Sequence, residues 1–334
     1  PMHSNAPTLE AYQAAFEAAL IVHHPDPGLI ELVGKDRLDL LHRMSTADLL
    51  DMAPFHVRQT VFTDPLGRTI DVVLVLTRDE DLLLLTSPGK EAQLRAWLRK
   101  HVFFRDQISI EAAQPGWGLW GAYGPIAGQA LERLQCPVPS DDRTVAFEDG
   151  LAWSVASPLP GFRVLMQPGI DPTASRLLAT EPAASAAYDV LRVEAGLPEP
   201  GREILDDSIP LEVGLTSAVS FTKGCYTGQE IIARMESRGK LAKRLAGITL
   251  PHSAQAETTL VQNGRAIGTL TSVVESPRFG WIGLAVVKPD AISAHDRRVS
   301  VQGDETPARL VELPFDRERR TPIAGPRAAP LEQA

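Results

Sequence analysis

Residues 223–230 read KGCYTGQE, and they hold one of only two cysteines in a chain of 334 residues. Thr227 and Glu230 stand in the Thr-x-x-Glu spacing of a capping box, in which hydroxyl and carboxylate satisfy orphan backbone N–H groups of a helix's first turn. Tyr226 and Ile231 occupy the flanking positions of a hydrophobic staple. Glu230 and Arg234 form an i,i+4 pair in the favourable order, and Gly239 is a natural stop. The spacing predicts a helix from Thr227 to Gly239 with Cys225 just ahead of it. There the thiol meets the positive end of the helix dipole and the charge of Lys223, two features that promote reactivity. The usual fate of a free cysteine is that of a small buried hydrophobe. Local sequence leaves both readings open.

Working outward, the composition is 44% hydrophobic and 22% charged, which describes a globular chain. At 334 residues it is long for one core, so two or three domains are expected. The net charge of −9 argues against a mainly electrostatic grip on nucleic acid or an anionic membrane. No apolar run reaches membrane-spanning length, and PMHSNAPTLEAYQ at the start carries no apolar signal segment. Cys136 and Cys225 lie 89 residues apart, which offers neither a metal-ligand spacing nor a disulfide framework. A reducing, cytoplasmic setting is expected.

Periodicity gives the elements. LEAYQAAFEAALIVHH (9–24) places Leu9, Tyr12, Phe16 and Leu20 at helical spacing, and DRLDLLHRM after Gly34 is a second helix. HVRQTVF, TIDVVLVLT and DLLLLTS read as strands, the first two joined by the turn TDPLGR. A helix is expected from Ser87 to His101, with Pro88 at its first position and Leu94, Trp97, Leu98 and His101 on one face. QISIEAA is again a strand, VAFEDGLAWSVA a hairpin turning at Asp149-Gly150, and helices are expected near 173–179 and 183–194. From 244 to 315 short strands follow closely, as in a small barrel; the tail beyond Phe315 has no apolar period and is expected to be disordered. The class is α+β. GWGLWG (116–121) matches a dinucleotide fingerprint, but two tryptophans interrupt it and no helix start follows directly. A strand with buried indoles explains it better. SPGK (87–90) is explained by a helix start, and the adjacent His23 and His24 diverge, so no metal site is expected.

KGCYTGQE closely resembles the signature of the YgfZ family of folate-binding proteins, which includes mitochondrial iron–sulfur assembly factors and is related to the glycine-cleavage T-protein, or aminomethyltransferase. VGKDRLDLLHRMSTADL resembles the N-terminal segment of that superfamily, LRVEAGLPEPGREI with IPLEVGL its central segment, and RAIGTLTSVVESPRFGWIGLAVV with VELPF its C-terminal barrel. The resemblance implies three domains around a central tetrahydrofolate site. These are a discontinuous first domain (8–50 and 145–240) carrying the octet, a ferredoxin-like domain (51–144) and a barrel (241–316), with a tail at 317–334. It implies that Glu194, in the R-x-EAG segment, grips the pterin, a sensible role for an acceptor-only carboxylate facing ring N–H donors. T-proteins carry an Asp-Asp pair after a glycine-rich turn; GRTIDVV keeps Asp71 but has Val72 at the second acid, and the cysteine octet replaces their FIG segment.

These departures lead away from glycine cleavage. The resemblance implies a folate-binding protein that supports assembly or maintenance of iron–sulfur proteins. Cys225 and Asp71 are the expected reactive groups, Glu194 and Asp71 the folate contacts, and Lys223, Gly224, Tyr226, Gly228, Gln229 and Glu230 the rest of the motif. Its expected partners are iron–sulfur clients or assembly scaffolds. The alternative is a tetrahydrofolate-dependent aminomethyltransferase or demethylase in which Asp71 handles a proton or iminium. A folate-sensing module without chemistry is a third reading.

Overall fold

The computed structural model describes residues 9–170 and 183–315. Helix α1 (Leu9–Glu17) ends well short of the expected His24, and β1 (Leu20–His24) follows it. The β-branched Ile21 and Val22 favour extended backbone. The deciding partner is remote: β1 pairs antiparallel with β7 (Gly118–Tyr123), Leu20 opposite Tyr123. GWGLWG therefore contributes to a strand, with Trp120 buried.

Two five-stranded sheets and a closed barrel carry the chain. The first sheet runs β1-β7-β10-β9-β8, adding β8 (Thr144–Phe147), β9 (Gly150–Val155) and β10 (Gly161–Met166). The second runs β3-β4-β5-β2-β6 and consists of β2 (Gly28–Val33), β3 (Val57–Thr63), β4 (Thr69–Thr77), β5 (Asp81–Thr86) and β6 (Ser109–Ala112). The sheets meet face to face through Leu29, Leu76, Leu83 and Leu85 of one against Leu119, Leu151, Trp153 and Leu165 of the other. The strands of each sheet are not consecutive in the chain. Strand β2, assigned to the first domain, is hydrogen-bonded between β5 and β6, and β7 joins the first sheet rather than the middle layer.

The outer face of the second sheet is covered by α2 (Arg37–Met44) and α3 (Glu91–Arg99), whose Leu40, Leu41, Leu94 and Leu98 pack on Ile30, Phe62, Val73 and Val75. Helix α3 starts later than expected: Ser87 to Lys90 form a turn, with Gly89 at φ 77° in the left-handed region, so Pro88 lies outside the helix. Helix α4 (Gly128–Arg133) follows β7. Helix α5 (Ala184–Ala195) packs on α1, on Leu20 and Val22, and on Leu245, Ile282 and Leu284 of the barrel. The expected helix near 173–179 and the tail beyond Phe315 lie outside the described residues.

Helix α6 (Gln229–Arg238) leads into six strands in the closed order β11-β14-β13-β12-β15-β16. These are β11 (Arg244–Thr249), β12 (Thr258–Gln262), β13 (Arg265–Ser276), β14 (Gly280–Val287), β15 (Arg298–Val301) and β16 (Asp304–Val311), with the short α7 (Pro289–Ser293) between β14 and β15. Among the described residues no helix is long and apolar enough to cross a membrane.

Candidate functional site

The octet is fastened at two points and open between them. Lys223 is buried, and its ammonium donates to the carbonyls of His42, Ser45 (2.7 Å) and Ala47 (3.0 Å). These carbonyls cluster where α2 ends, at the negative pole of the helix, where a cation belongs. VGKDRLDLLHRMSTADL and KGCYTGQE, remote in sequence, are thus joined by one side chain. Burial lowers the Lys223 pKa to about 8. Tyr226 is buried with Leu211, Val219 and Ile232, and the Lys223 ammonium lies 5.1 Å from its ring centre. Between these anchors Gly224 and Cys225 are exposed.

The helix start differs from the expected capping box. The N-cap is Gly228, at φ 82°, and no side-chain cap bond is made. Thr227 uses its carbonyl instead, accepting from Thr63 Oγ1 at 2.6 Å. A Cβ at Gly228 would sit 2.5 Å from the Asp64 carbonyl oxygen and 2.9 Å from Gly67 Cα, so the β3–β4 turn presses on the octet at a place only glycine fits. Tyr226 packs on Ile232 rather than on Ile231, which lies against Gly67. The expected Glu230–Arg234 pair forms at 2.6 Å, and Gly239 ends the helix in the left-handed conformation. Lys223 is committed to its carbonyl cage, so its charge is not free to serve the thiol. Gln229 and Glu230 open the helix.

Asp71 lies on β4 opposite Phe62 and faces the side of the sheet that α2 and α3 cover. It is buried; its Oδ1 accepts from Val72 N at 2.8 Å and its Oδ2 from Ser87 N at 3.1 Å. Burial raises its pKa, opposed chiefly by the bonds to Ser87. Val72 alternates to the opposite face and joins Val61, Ile204, Val213 and Leu215, so an apolar cluster surrounds the position at which the resemblance implies a second acid. Asp71 and the octet share the β3–β4 hairpin: Phe62 pairs with Asp71, and the next residue, Thr63, holds Thr227.

Glu194 belongs to another cluster. It is buried near the end of α5 and accepts from Tyr12 Oη at 2.9 and 3.0 Å and from Ser276 Oγ at 2.5 Å, tying α1, α5 and β13 together. Burial and the neighbouring carboxylate hold the Tyr12 hydroxyl protonated. A carboxylate offers about four acceptor positions. Ser276 Oγ in turn accepts from the backbone N–H groups of Arg278 and Phe279, so the cluster is fixed from the β13–β14 turn as well.

Sequence reading missed the ion network beside it. Arg192 is buried, bonding Asp189 (2.6 Å), Ser272 (2.9 Å) and the fully buried Glu203 (3.3 Å), whose other oxygen accepts from Thr271 and Ser272 of β13. The signal was an arginine set between the apolar Leu191 and Val193. An apolar cleft of about 590 Å³ between α1 and the Gly124–Gly128 turn, lined by Phe16, Pro125, Leu159 and Phe162, includes none of the expected site residues. Cys136 is buried, and burial pushes its pKa up to about 11.

Residues 7–155 match the GCVT N-terminal domain, and residues 243–316 match the glycine cleavage T-protein C-terminal barrel domain. An aminomethyltransferase of Rubrobacter xylanophilus is 30% identical over 318 residues, spanning 89% of this chain and 83% of that protein. The chain belongs to the glycine cleavage T-protein superfamily. A chloroplastic protein of Arabidopsis thaliana, provisionally named as a transferase, is 29% identical over 327 residues, spanning 94% of this chain and 75% of its own length. The crystal structure of the glycine cleavage system aminomethyltransferase T of Bartonella henselae superposes with a TM-score of 0.80 at 20% identity, covering 92% of this chain and 89% of that one. That likeness confirms the fold, a mixed α/β chain with a closed six-stranded barrel. Glu194 and Cys225 both fall between the two matched stretches.

Proposed function

We propose that this T-protein relative is a cytoplasmic, YgfZ-type protein that binds reduced folate and supports the assembly or maintenance of iron–sulfur proteins through Cys225. The observation that carries the reading is the exposed thiol held between two buried anchors, Lys223 and Tyr226. A loop fastened to α2 and to the β3–β4 turn presents Cys225 outward, toward a client or scaffold protein. Glu194 supplies the carboxylate that takes the pterin N–H donors. Asp71, its pKa raised by burial, shares the octet's hairpin. The apolar setting of Val72 separates this reading from glycine cleavage.

A second reading, a tetrahydrofolate-dependent aminomethyltransferase or demethylase, is favoured by the names of the relatives and by the buried Asp71. One experiment separates them. In a deletion strain assayed for iron–sulfur enzyme activities, Cys225→Ser is expected to fail and Asp71→Asn to complement. The reverse pattern, together with Asp71-dependent formation of methylene-tetrahydrofolate from a lipoyl-carried aminomethyl donor, selects the transferase.

A further inference from the structure

The inner face of the first sheet carries a polar cluster that neither reading uses. Gly121 makes it possible: a Cβ there would lie 2.4 Å from the Tyr123 ring, so the glycine lets Tyr123 lie back along β7 toward His24. Tyr123 Oη is 2.7 Å from His24 Nε2 and 3.4 Å from Arg163 Nε. Arg163 Nη2 donates to Tyr188 Oη at 3.1 Å, and the Tyr188 ring lies 5.2 Å from that of Tyr123 and 4.7 Å from His24. Strands β1, β7 and β10 and helix α5 each contribute one of the four side chains.

The charges and donors do not balance. A guanidinium only donates, so both phenol oxygens accept from Arg163. His24 is buried and held neutral, its pKa lowered to about 3, so it shares one hydrogen bond with the Tyr123 hydroxyl and supplies no compensating charge. No carboxylate among the described residues bonds Arg163, although charges partly withdrawn from water are usually paired. The Tyr188 hydroxyl proton has no acceptor among the described residues, and the guanidinium keeps unused N–H groups. Arg163 and Tyr188 are only partly buried. What the cluster lacks is one anionic acceptor, and the planar fork of an arginine beside a phenol matches a carboxylate.

We propose that Arg163, with the hydroxyls of Tyr188 and Tyr123, is a binding site for a carboxylate group. The carboxylate comes either from a free small acid or from the glutamate end of a folate. The site stands on its own geometry and does not depend on Glu194 or Cys225.

The test is titration of the full chain with L-glutamate, succinate, p-aminobenzoylglutamate and tetrahydrofolate, each against sodium chloride at equal ionic strength. Tyrosine difference absorbance and thermal unfolding are the readouts. A saturable response to at least one of the carboxylates is expected. Arg163→Met should weaken it at least about tenfold, as loss of a charge-assisted bond implies. Tyr188→Phe, which leaves the core packing intact, should weaken it several-fold. Without ligand, Arg163→Met should be no less stable than the parent, because an uncompensated charge has been removed. A response to glutamate or succinate assigns the site to free acids; a response confined to p-aminobenzoylglutamate and tetrahydrofolate assigns it to the folate tail. Absence of any saturable response overturns the proposal. So does an undiminished response in Arg163→Met, or loss of stability in that variant combined with unchanged binding by Tyr188→Phe. Loss of tetrahydrofolate binding in Glu194→Gln alone, with the glutamate response retained, bears on the proposed function and leaves this site standing.

Discussion

Glu194 and Cys225 lie 31 residues apart in the chain, yet the fold treats them in opposite ways. Glu194 is buried and its oxygens are met by Tyr12 and Ser276, side chains from two other parts of the molecule. Cys225 is exposed, and the protein grips its neighbours: Lys223 through three carbonyls and Gly228 through backbone contact. In one region the candidate side chain itself holds the structure together; in the other the structure holds everything except the candidate side chain. A substitution at the first site must therefore disturb stability and binding together, whereas the second allows them to be separated.

The sharpest way to break this contrast lies at the two glycines of the octet. Gly228→Ala places a methyl group 2.5 Å from the Asp64 carbonyl oxygen on left-handed backbone, and a loss of about 3 kcal/mol is expected. A Cβ at Gly224 meets nothing within 4 Å, and Gly224→Ala should change stability little. Urea unfolding of the two variants decides it. Equal losses would mean that the exposed part of the loop is as tightly packed as its anchor.

These same residues show what the sequence made legible. Strands β3 to β5, helix α2, the hairpin at Gly150 and the Gly239 stop follow from local period and turn chemistry, and they stand where expected. Strand β1 was hidden because its partner is remote, Leu20 pairing with Tyr123 103 residues along the chain, and α1's helical spacing ran on through it. The Thr227 capping box was locally sound, but the Asp64–Gly67 turn presses on this stretch and takes the Thr227 carbonyl, leaving Gly228 as the cap. Lys223 looked like a partner for Cys225 because the two are adjacent in sequence; its true partners are carbonyls near residue 45. Asp71 and Glu194 were named through family resemblance and Cys225 also through its local setting, whereas their neighbours Tyr12, Ser276 and Arg192 were not named, because tertiary contact alone brings them there.

A smaller effect is expected from the Lys223 anchor as pH is raised. Its folded pKa is about 8 against an ordinary 10.5. Below pH 8 both states hold the proton and the cost of burying the charge stands in full. Between about 8 and 10.5 the unfolded chain still binds a proton that the folded chain has released, so this group raises stability with pH across that window. The gain is on the order of 2 kcal/mol, moderated by the carbonyls that bond the charged form. Urea unfolding across this range should show the rise in the parent and its absence in Lys223→Met. Parallel pH profiles would place the ammonium in solvent and undo the picture of a caged anchor.

Smaller again is the effect of trimming the Glu194 cluster. Tyr12→Phe removes one donor to a buried carboxylate while keeping the ring, for a loss of about 1 kcal/mol. The same change frees an acceptor position at Glu194. If the pterin replaces Tyr12 there, tetrahydrofolate affinity measured by calorimetry should hold or rise in Tyr12→Phe while it falls at least about tenfold in Glu194→Gln. Equal losses in both variants would make Tyr12 part of the ligand's contacts and Glu194 its support.

The smallest stability effect is expected at the residue with the largest functional one. The Cys225 side chain is exposed and lies outside the packed clusters, so Cys225→Ser should shift unfolding by less than about 0.5 kcal/mol, the range of an ordinary surface substitution. Cys136→Ser, which puts a hydroxyl into a buried apolar site among Leu131, Leu134 and Ala130, should cost more. Labelling with a thiol reagent in the native state should follow the same order, Cys225 reacting and Cys136 only after unfolding, because burial both shields Cys136 and raises its pKa. These physical measurements establish whether the thiol is presented; the deletion strain establishes whether presentation matters. If Cys225→Ser unfolds like the parent and fails to restore iron–sulfur enzyme activity, the loss can be charged to the sulfur alone, because the anchors at Lys223 and Gly228 are untouched. If it restores activity fully, the loop serves the fold, and the role of the octet passes to Gln229 and Glu230 at the start of α6.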